Sequence, residues 1–310
     1  MRTVFLMASL TLVLACSLFQ QTSTPPPSRQ SAIPPFAVKM SPATDEHSPQ
    51  LHSSDYENPV PLPASINTAG AEDSPFITPD GKTLYFFFTP DPNLPPEKQV
   101  IDGVTGLYVS SKDGDQWTEP QRLILQEPGK LALDGCEFIL GDLMYFCTVR
   151  EGLTGVHWFT AHRIDGLWQD WKIADFNPAY DVGELHINAS GDELYFHADR
   201  PGGQGGLDIW LSRKVDGEWQ TPVNLSAVNS PSSEGWPALS PDGNELWFTR
   251  DFGVWRSRRV SGDWGAPELI VSSLAGEPSL DQFGNLYFVH HFYSGEKLIE
   301  ADIYLARKKH

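Results

Sequence analysis

One pattern restricts the fold more than any other: the chain repeats an aromatic triplet. Leu84-Tyr85-Phe86, Met144-Tyr145-Phe146, Leu194-Tyr195-Phe196, Leu246-Trp247-Phe248 and Leu286-Tyr287-Phe288 follow one another at intervals of 60, 50, 52 and 40 residues. A turn precedes each: Pro79-Asp80-Gly81, Gly141-Asp142, Ser190-Gly191-Asp192, Pro241-Asp242-Gly243 and Phe283-Gly284-Asn285. Asp or Asn beside Gly favours the positive φ values of tight hairpins. A second series, Trp117, Trp168, Trp219 and Trp264, lies downstream at intervals of 51, 51 and 45. Three of these tryptophans are followed by Pro three residues on, as in Trp219-Gln-Thr-Pro222.

Each unit reads as four short strands. The third shows them best, at Glu184–Asn188, Glu193–His197, Asp208–Arg213 and Glu218–Leu225. Four-stranded units at this period predict an all-β chain folded as a β-propeller with five blades. Composition agrees, with 26 Gly and 26 Pro for the turns and 10 Trp for packed strands. The last unit ends after a third strand, Asp302–Arg307, while Asn58-Pro-Val-Pro-Leu62 resembles the fourth-strand segment Thr221-Pro-Val-Asn-Leu225. The early segment is therefore expected to complete the last blade, closing the ring and removing an exposed edge.

The start of the chain reads differently. Arg2 and the apolar run Val4–Ala15 form a signal peptide pattern, too short for the roughly 20 apolar residues of a membrane-spanning helix. The run ends Val13-Leu14-Ala15-Cys16, which resembles a bacterial lipobox. That resemblance implies lipidation of Cys16 and attachment to a cell membrane or outer membrane, facing the periplasm or exterior. Ser, Pro, Thr and Gln dominate from Ser17 to about Tyr56, predicting a disordered tether. The expected divisions are 1–15 signal peptide, 16–56 tether and 57–310 propeller. A net charge of −18 disfavours nucleic acid as a partner.

Three segments carry a family resemblance: Ser240-Pro241-Asp242-Gly243-Asn-Glu-Leu246-Trp-Phe, Thr78-Pro79-Asp80-Gly81-Lys-Thr-Leu84-Tyr-Phe, and Asp199-Arg200-Pro201-Gly202-Gly203-Gln-Gly205-Gly206-Leu-Asp208-Ile. They resemble the WD40-like repeat of TolB-type β-propellers. Units two and five lack the Pro-Asp-Gly turn. The resemblance implies the fold across 58–310 and leaves function open, because such propellers serve as binding partners, peptidase appendages and lyases.

In a propeller, inner strands begin beside the central channel on the face where second strands end. Inner-strand starts carry Glu72, Asp73, Asp134, Glu137, Glu184, Glu234 and Glu277, with Glu137, Glu184 and Glu277 expected at equivalent positions. Second-strand ends carry Arg150, Arg200, Arg250, His197, His290 and His291, and Trp236 follows Glu234 by two. This acidic mouth suits a polar small molecule or glycan, or an envelope protein, on a monomer needing no cofactor. The structural alternative is that each carboxylate accepts backbone N–H bonds and ties neighbouring blades. The order Asp73, Asp134, Glu184 over units one to three also resembles five-bladed furanosidases. That resemblance implies a general base (Asp73), a pKa-tuning residue (Asp134) and a general acid (Glu184).

The remaining signals are narrower. A two-residue turn at Gly141-Asp142 sets Cys136 opposite Cys147, within disulfide reach. His290 and His291 alternate across a strand and lack a spaced third ligand, so no metal is expected. No nucleophile elbow accompanies the serines. Gly202–Asp208 resembles one calcium-type glycine repeat, and a tight loop explains it. Asp113–Trp117 resembles a sialidase Asp-box, and a hairpin turn explains that. The long loop Thr89–Gly106 is expected to overhang the acidic face as a lid or docking element.

Overall fold

A computed structural model describes residues 27–176 and 182–309. The signal segment 1–15, Cys16 and the first part of the tether lie outside the described residues. No helix among the described residues is long and apolar enough to cross a membrane.

Strands dominate, and each begins from local chemistry. In the turns of units one and four, Asp80 and Asp242 accept from the hydroxyls of Thr78 (2.6 Å) and Ser240 (2.5 Å). Each also accepts from a backbone N–H two residues on. Gly81 and Gly243 take φ values of 69° and 70°, which a side chain would oppose. These turns reverse the chain into the aromatic strands Thr83–Thr89 and Glu245–Arg250.

Among the described residues, strand pairing gives five antiparallel meanders, with inner strands Ala71–Ile77, Ala132–Leu140, Leu185–Ile187, Glu234–Leu239 and Ala275–Leu280. One parallel bridge, Ala301 to Ala71, joins the fifth meander to the first. Each inner strand packs against the next, and the fifth against the first, so the strands encircle a central channel. The meanders stack face to face, and both faces of the second strand are therefore covered. This explains the triplets: Phe86, Phe146, Phe196, Phe248 and Phe288 are fully buried, and so are Trp247 and Tyr195 between them.

Outer strands are short because prolines remove ladder donors. In unit three the fourth strand is split into Glu218–Trp219 and Val223–Asn224 around Pro222. Each tryptophan of the second series stands directly across from a basic residue: Lys112, Arg163, Lys214 and Arg259. Lys112, Lys214 and Arg259 lie over their rings at 4.9, 5.0 and 4.5 Å.

The early segment completes the fifth meander as expected. Val60 and Pro61 pair with Leu305 and Tyr304, Leu62 N–H donates to Ile303 (2.9 Å), and Tyr56 bridges Lys308.

The expected tether needs correction between 27 and 56. This segment is bound to the ring. A one-turn helix, Arg29–Ala32, delivers Arg29 to Glu72 in unit one. Lys39 reaches Glu300 and Asp302 in unit five, and Asp45 reaches His290 (2.9 Å). Gln50–Leu51 then adds a strand beside Glu268–Ser272 of unit four. Low hydrophobicity hid this because the segment is held by charge pairs and backbone bonds.

Candidate functional site

The channel mouth is built by a repeated defect. Ladder registry is interrupted in four inner strands: between Asp73 and Phe76, Gly135 and Phe138, Gly235 and Ala238, and Gly276 and Ser279. The bulged residues Ser74, Cys136, Trp236 and Glu277 have φ values of 46°, 53°, 53° and 55°. Each costs about 1 kcal/mol or more for a side chain in the left-handed region. The bulge turns Ser74, Trp236 and Glu277 away from the ladder and into the channel, and Cys136 toward Cys147. Pairing of Leu185 with Phe196 sets Glu184 at the same position in unit three.

Registry separates three columns. The first contains Gly135, Gly183, Gly235 and Gly276, and in unit one Asp73. Glycine is needed because the neighbouring second strand approaches closely: a Cβ at Gly276 would lie 3.1 Å from Thr249, and one at Gly183 would strike His197. The second column is Ser74, Cys136, Glu184, Trp236 and Glu277. The third is Pro75, Glu137, Leu185, Pro237 and Pro278. Glu184 and Glu277 are thus equivalent, as expected, while Glu137 lies one residue further. Asp73 and Glu137 are the acidic departures from their columns.

At the mouth these residues meet. Glu277 Oε2 accepts from Ser74 N–H (2.9 Å) and Ser74 Oγ (3.1 Å). His291 Nε2 stands 4.0 Å from Asp73 Oδ1. Burial raises the Glu277 carboxyl well above the usual range, and the charges of Asp73 and Glu184 add to it. Burial pushes Glu184 up to about 8, helped by Asp73 and opposed by hydrogen bonds from the Trp236 indole and Ser74. Glu137 is 7% exposed, neither oxygen has a hydrogen-bond partner, and burial raises it strongly, with Glu184 and Asp73 adding. Below the carboxyl groups is a cavity of about 50 Å³, with Phe76, Phe138 and His186 at its walls. Further along the channel, past the same residues, the space widens to about 330 Å³ between Ile77, Ile139, Ile187 and Leu239.

Asp134, Glu234, Arg150 and Arg250 do not line the channel and are corrected as candidates. They form a second, structural circle one residue or more before the bulge. Glu234 is fully buried, accepts from Ser230 N–H (3.1 Å) and pairs with Arg250. Arg250 also donates to the Val228 carbonyl and lies 4.7 Å from the Trp255 ring. Asp134 accepts from Thr148 (2.6 Å) and pairs with Arg150 (3.5 Å). Arg150 lies 4.3 Å from Phe159. Burial raises Asp134 against the pull of Thr148 and Arg150. The expected three-carboxylate set is thus divided, with Asp73 and Glu184 at the channel and Asp134 behind it. Of the structural alternative, Glu234 shows the backbone N–H bond and Asp134 a hydroxyl bond instead, and each pairs with an arginine of its own unit.

Three other candidates are packed. His197 Nδ1 accepts from Trp236 N–H (3.1 Å), and burial lowers the ring to about 4. His290 is buried on Asp45. Arg200 lies 4.9 Å from the Trp210 ring. Trp236 remains at the mouth, half-buried. The loop Thr89–Gly106 holds a short helix, Pro96–Gln99, and Asn93 is bonded to Leu298 (2.9 Å). It contributes no residue to the channel lining.

Cys136 and Cys147 form a disulfide with Cα atoms 5.3 Å apart. The bulge shifts registry so that Gly135 is the ladder partner of Cys147, and Cys136 is the bulged residue beside it.

The sequence reading missed Arg29, Ser74 and His186. Arg29 is 6% exposed and bonds Glu72, Ile66 O (2.8 Å) and Ser65 O (2.7 Å). It also lies 5.3 Å from the Phe88 ring. The signal for it was present. Asn67-Thr68 with Glu72 matches Asn229-Ser230 with Glu234, yet unit one has no arginine at its second-strand end.

Inner strands around one channel, with acidic side chains converging at one end, define this protein as a β-propeller. No family model matches the chain, and no curated protein sequence matches it. Solved structures similar to it include an α-L-arabinofuranosidase from Lactobacillus brevis, at 12% identity and TM-score 0.48, covering 76% of this chain and 90% of that one. A gluconolactonase from Xanthomonas campestris matches at 11% identity and TM-score 0.46, covering 84% and 98%. A protein assigned as TolB from Agrobacterium tumefaciens matches at 15% and 0.41, covering 78% and 92%. These are likenesses of chain course.

Proposed function

We propose that the protein is exported, held to a membrane through Cys16, and binds a polar, carbohydrate-like small molecule at the acidic mouth of its channel. The convergence of Asp73, Glu137, Glu184 and Glu277 from four inner strands beside the Trp236 indole supports this reading. Carboxyl groups offer hydroxyl acceptors, and an indole face offers a sugar its apolar surface. The Cys136–Cys147 disulfide suits an oxidising compartment outside the cytoplasm. Calorimetric titration with a panel of neutral and acidic sugars tests it. At least one should saturate a single site, and Trp236→Ala should weaken that binding tenfold or more. No saturation by any sugar, with a protein co-purifying instead, overturns it in favour of an envelope scaffold.

A second reading is glycoside hydrolysis by Asp73 and Glu184, without Asp134. Its support is that Glu184 holds a proton at the mouth near Asp73, as a general acid requires. Released reducing sugar, abolished in Glu184→Gln, would establish it.

A further inference from the structure

Asp73 breaks a rule that the rest of the ring keeps. At its position the other four inner strands carry glycine, and a Cβ there would strike His197 in unit three and meet second-strand side chains at 3.1–3.4 Å in units two, four and five. In unit one an acid stands there, and it extends toward His291 of unit five. Departures from a repeat are where function is expected.

The donor atoms around it have the arrangement of a metal site. One ligand atom each from Asp73, Glu277 and His291 lies within 4.8 Å of the others, and all three side chains are half-buried. The imidazole is already oriented. His291 Nδ1 faces the Leu274 carbonyl at 3.4 Å, so the proton belongs on Nδ1 and the Nε2 lone pair points toward Asp73. Metal-binding histidines are characteristically fixed by such a bond on the far nitrogen. Glu277 is oriented by Ser74 through one oxygen, and its carboxyl also meets that of Asp73, so the two acids already face one point.

A separate observation points to a missing counter-charge. Glu137, another departure from the repeat, is more than nine-tenths buried with both oxygens unpartnered, and it lines the same channel. Such a carboxyl is costly to ionise without a partner, and a cation at the mouth would offset that cost.

We propose that Asp73, Glu277 and His291 hold a divalent first-row cation, Zn²⁺ or Mn²⁺, at the channel mouth. Two carboxylate oxygens and one imidazole nitrogen suit these ions, and the nitrogen disfavours Ca²⁺. Contraction by about 1 Å brings the donors to bonding distances of roughly 2.0–2.2 Å. The sequence pattern concealed the set because its ligands come from two units at opposite ends of the propeller chain. The site stands whether or not a sugar binds above it.

The test is direct. Chelator-treated protein is titrated calorimetrically with Zn²⁺, Mn²⁺ and Ca²⁺ in the absence of sugar. One equivalent of Zn²⁺ or Mn²⁺ should bind with micromolar or tighter affinity, at least tenfold more tightly than Ca²⁺. Asp73→Gly installs the residue of the other four units, so it should fold, with an unchanged far-ultraviolet circular dichroism spectrum, and lose binding at least a hundredfold. Nitrogen coupling in the Mn²⁺ pulsed paramagnetic resonance spectrum should vanish in His291→Ala. No saturable binding, binding undiminished in folded Asp73→Gly, or a preference for Ca²⁺ would each overturn the proposal.

Discussion

At the scale of single residues, the channel shows how one backbone device serves different chemistries. His186 occupies the position held by Phe76 and Phe138, and its ring lies 4.6 Å from Phe138. Burial lowers it to about 3, far below the ordinary 6.5. The folded ring is therefore neutral, and the unfolded chain takes up the extra proton as pH falls. Stability from this neutrality is complete above about 6.5 and is lost progressively below it, toward 3. His186→Phe should fold, because the repeat already accommodates Phe there. Between pH 7 and 4 it should lose about 3 kcal/mol less stability than the parent, measured by denaturant titration at each pH. An equal loss in both proteins would refute the assignment.

Residue identities were legible in the sequence and their directions were not. Asp134 and Glu137 are three apart in one strand, yet a bulge sends them to an arginine and to the channel respectively. Strict two-residue alternation cannot anticipate this, since a bulge resets the phase. The run of glycines at 135, 183, 235 and 276 was the available clue, each marking close approach of a neighbouring strand.

At the scale of elements, the N-terminal segment matters most. Arginine clamps the strand starts of units two and four from within, through Arg150 and Arg250. In unit one the clamp is supplied from outside by Arg29. Its guanidinium and the Glu72 carboxylate are both buried; burial lowers the first and raises the second, and the charge of each opposes the shift of the other. Removing only the cation strands a buried acid. Arg29→Ala should cost about 3–5 kcal/mol, whereas adding Glu72→Gln should recover a large part of it. Equal melting temperatures for Arg29→Ala and the parent would show that the segment is not held this way. Strands were legible because apolar periodicity marks them. The strap was not, because ion pairs with partners 43 to 263 residues away leave no local pattern.

At the scale of the whole molecule, the repeat predicted both the architecture and the means of closure, since a missing fourth strand at one end matched a spare segment at the other. Residues 57–62 join the chain's beginning to the Lys297–Ala306 strand. Without them that strand's outer edge is unpaired and can template association. A protein lacking residues up to 62 should melt at lower temperature with a broader transition and should form larger species in light scattering. A monomer melting as sharply as the parent would contradict this.

The bulges carry a consequence for how such a molecule can change over time. Phe86 and its counterparts hold the ring, while Ser74, Glu184, Trp236 and Glu277 face the channel from equivalent positions and Cys136, the fifth, is tied to Cys147. The bulged position is relieved of ladder duty, so substitutions at those four leave the pairing of neighbouring strands untouched. The mouth is consequently a four-letter word whose letters can be rewritten singly, and a lineage could exchange one ligand for another without passing through an unfolded ancestor.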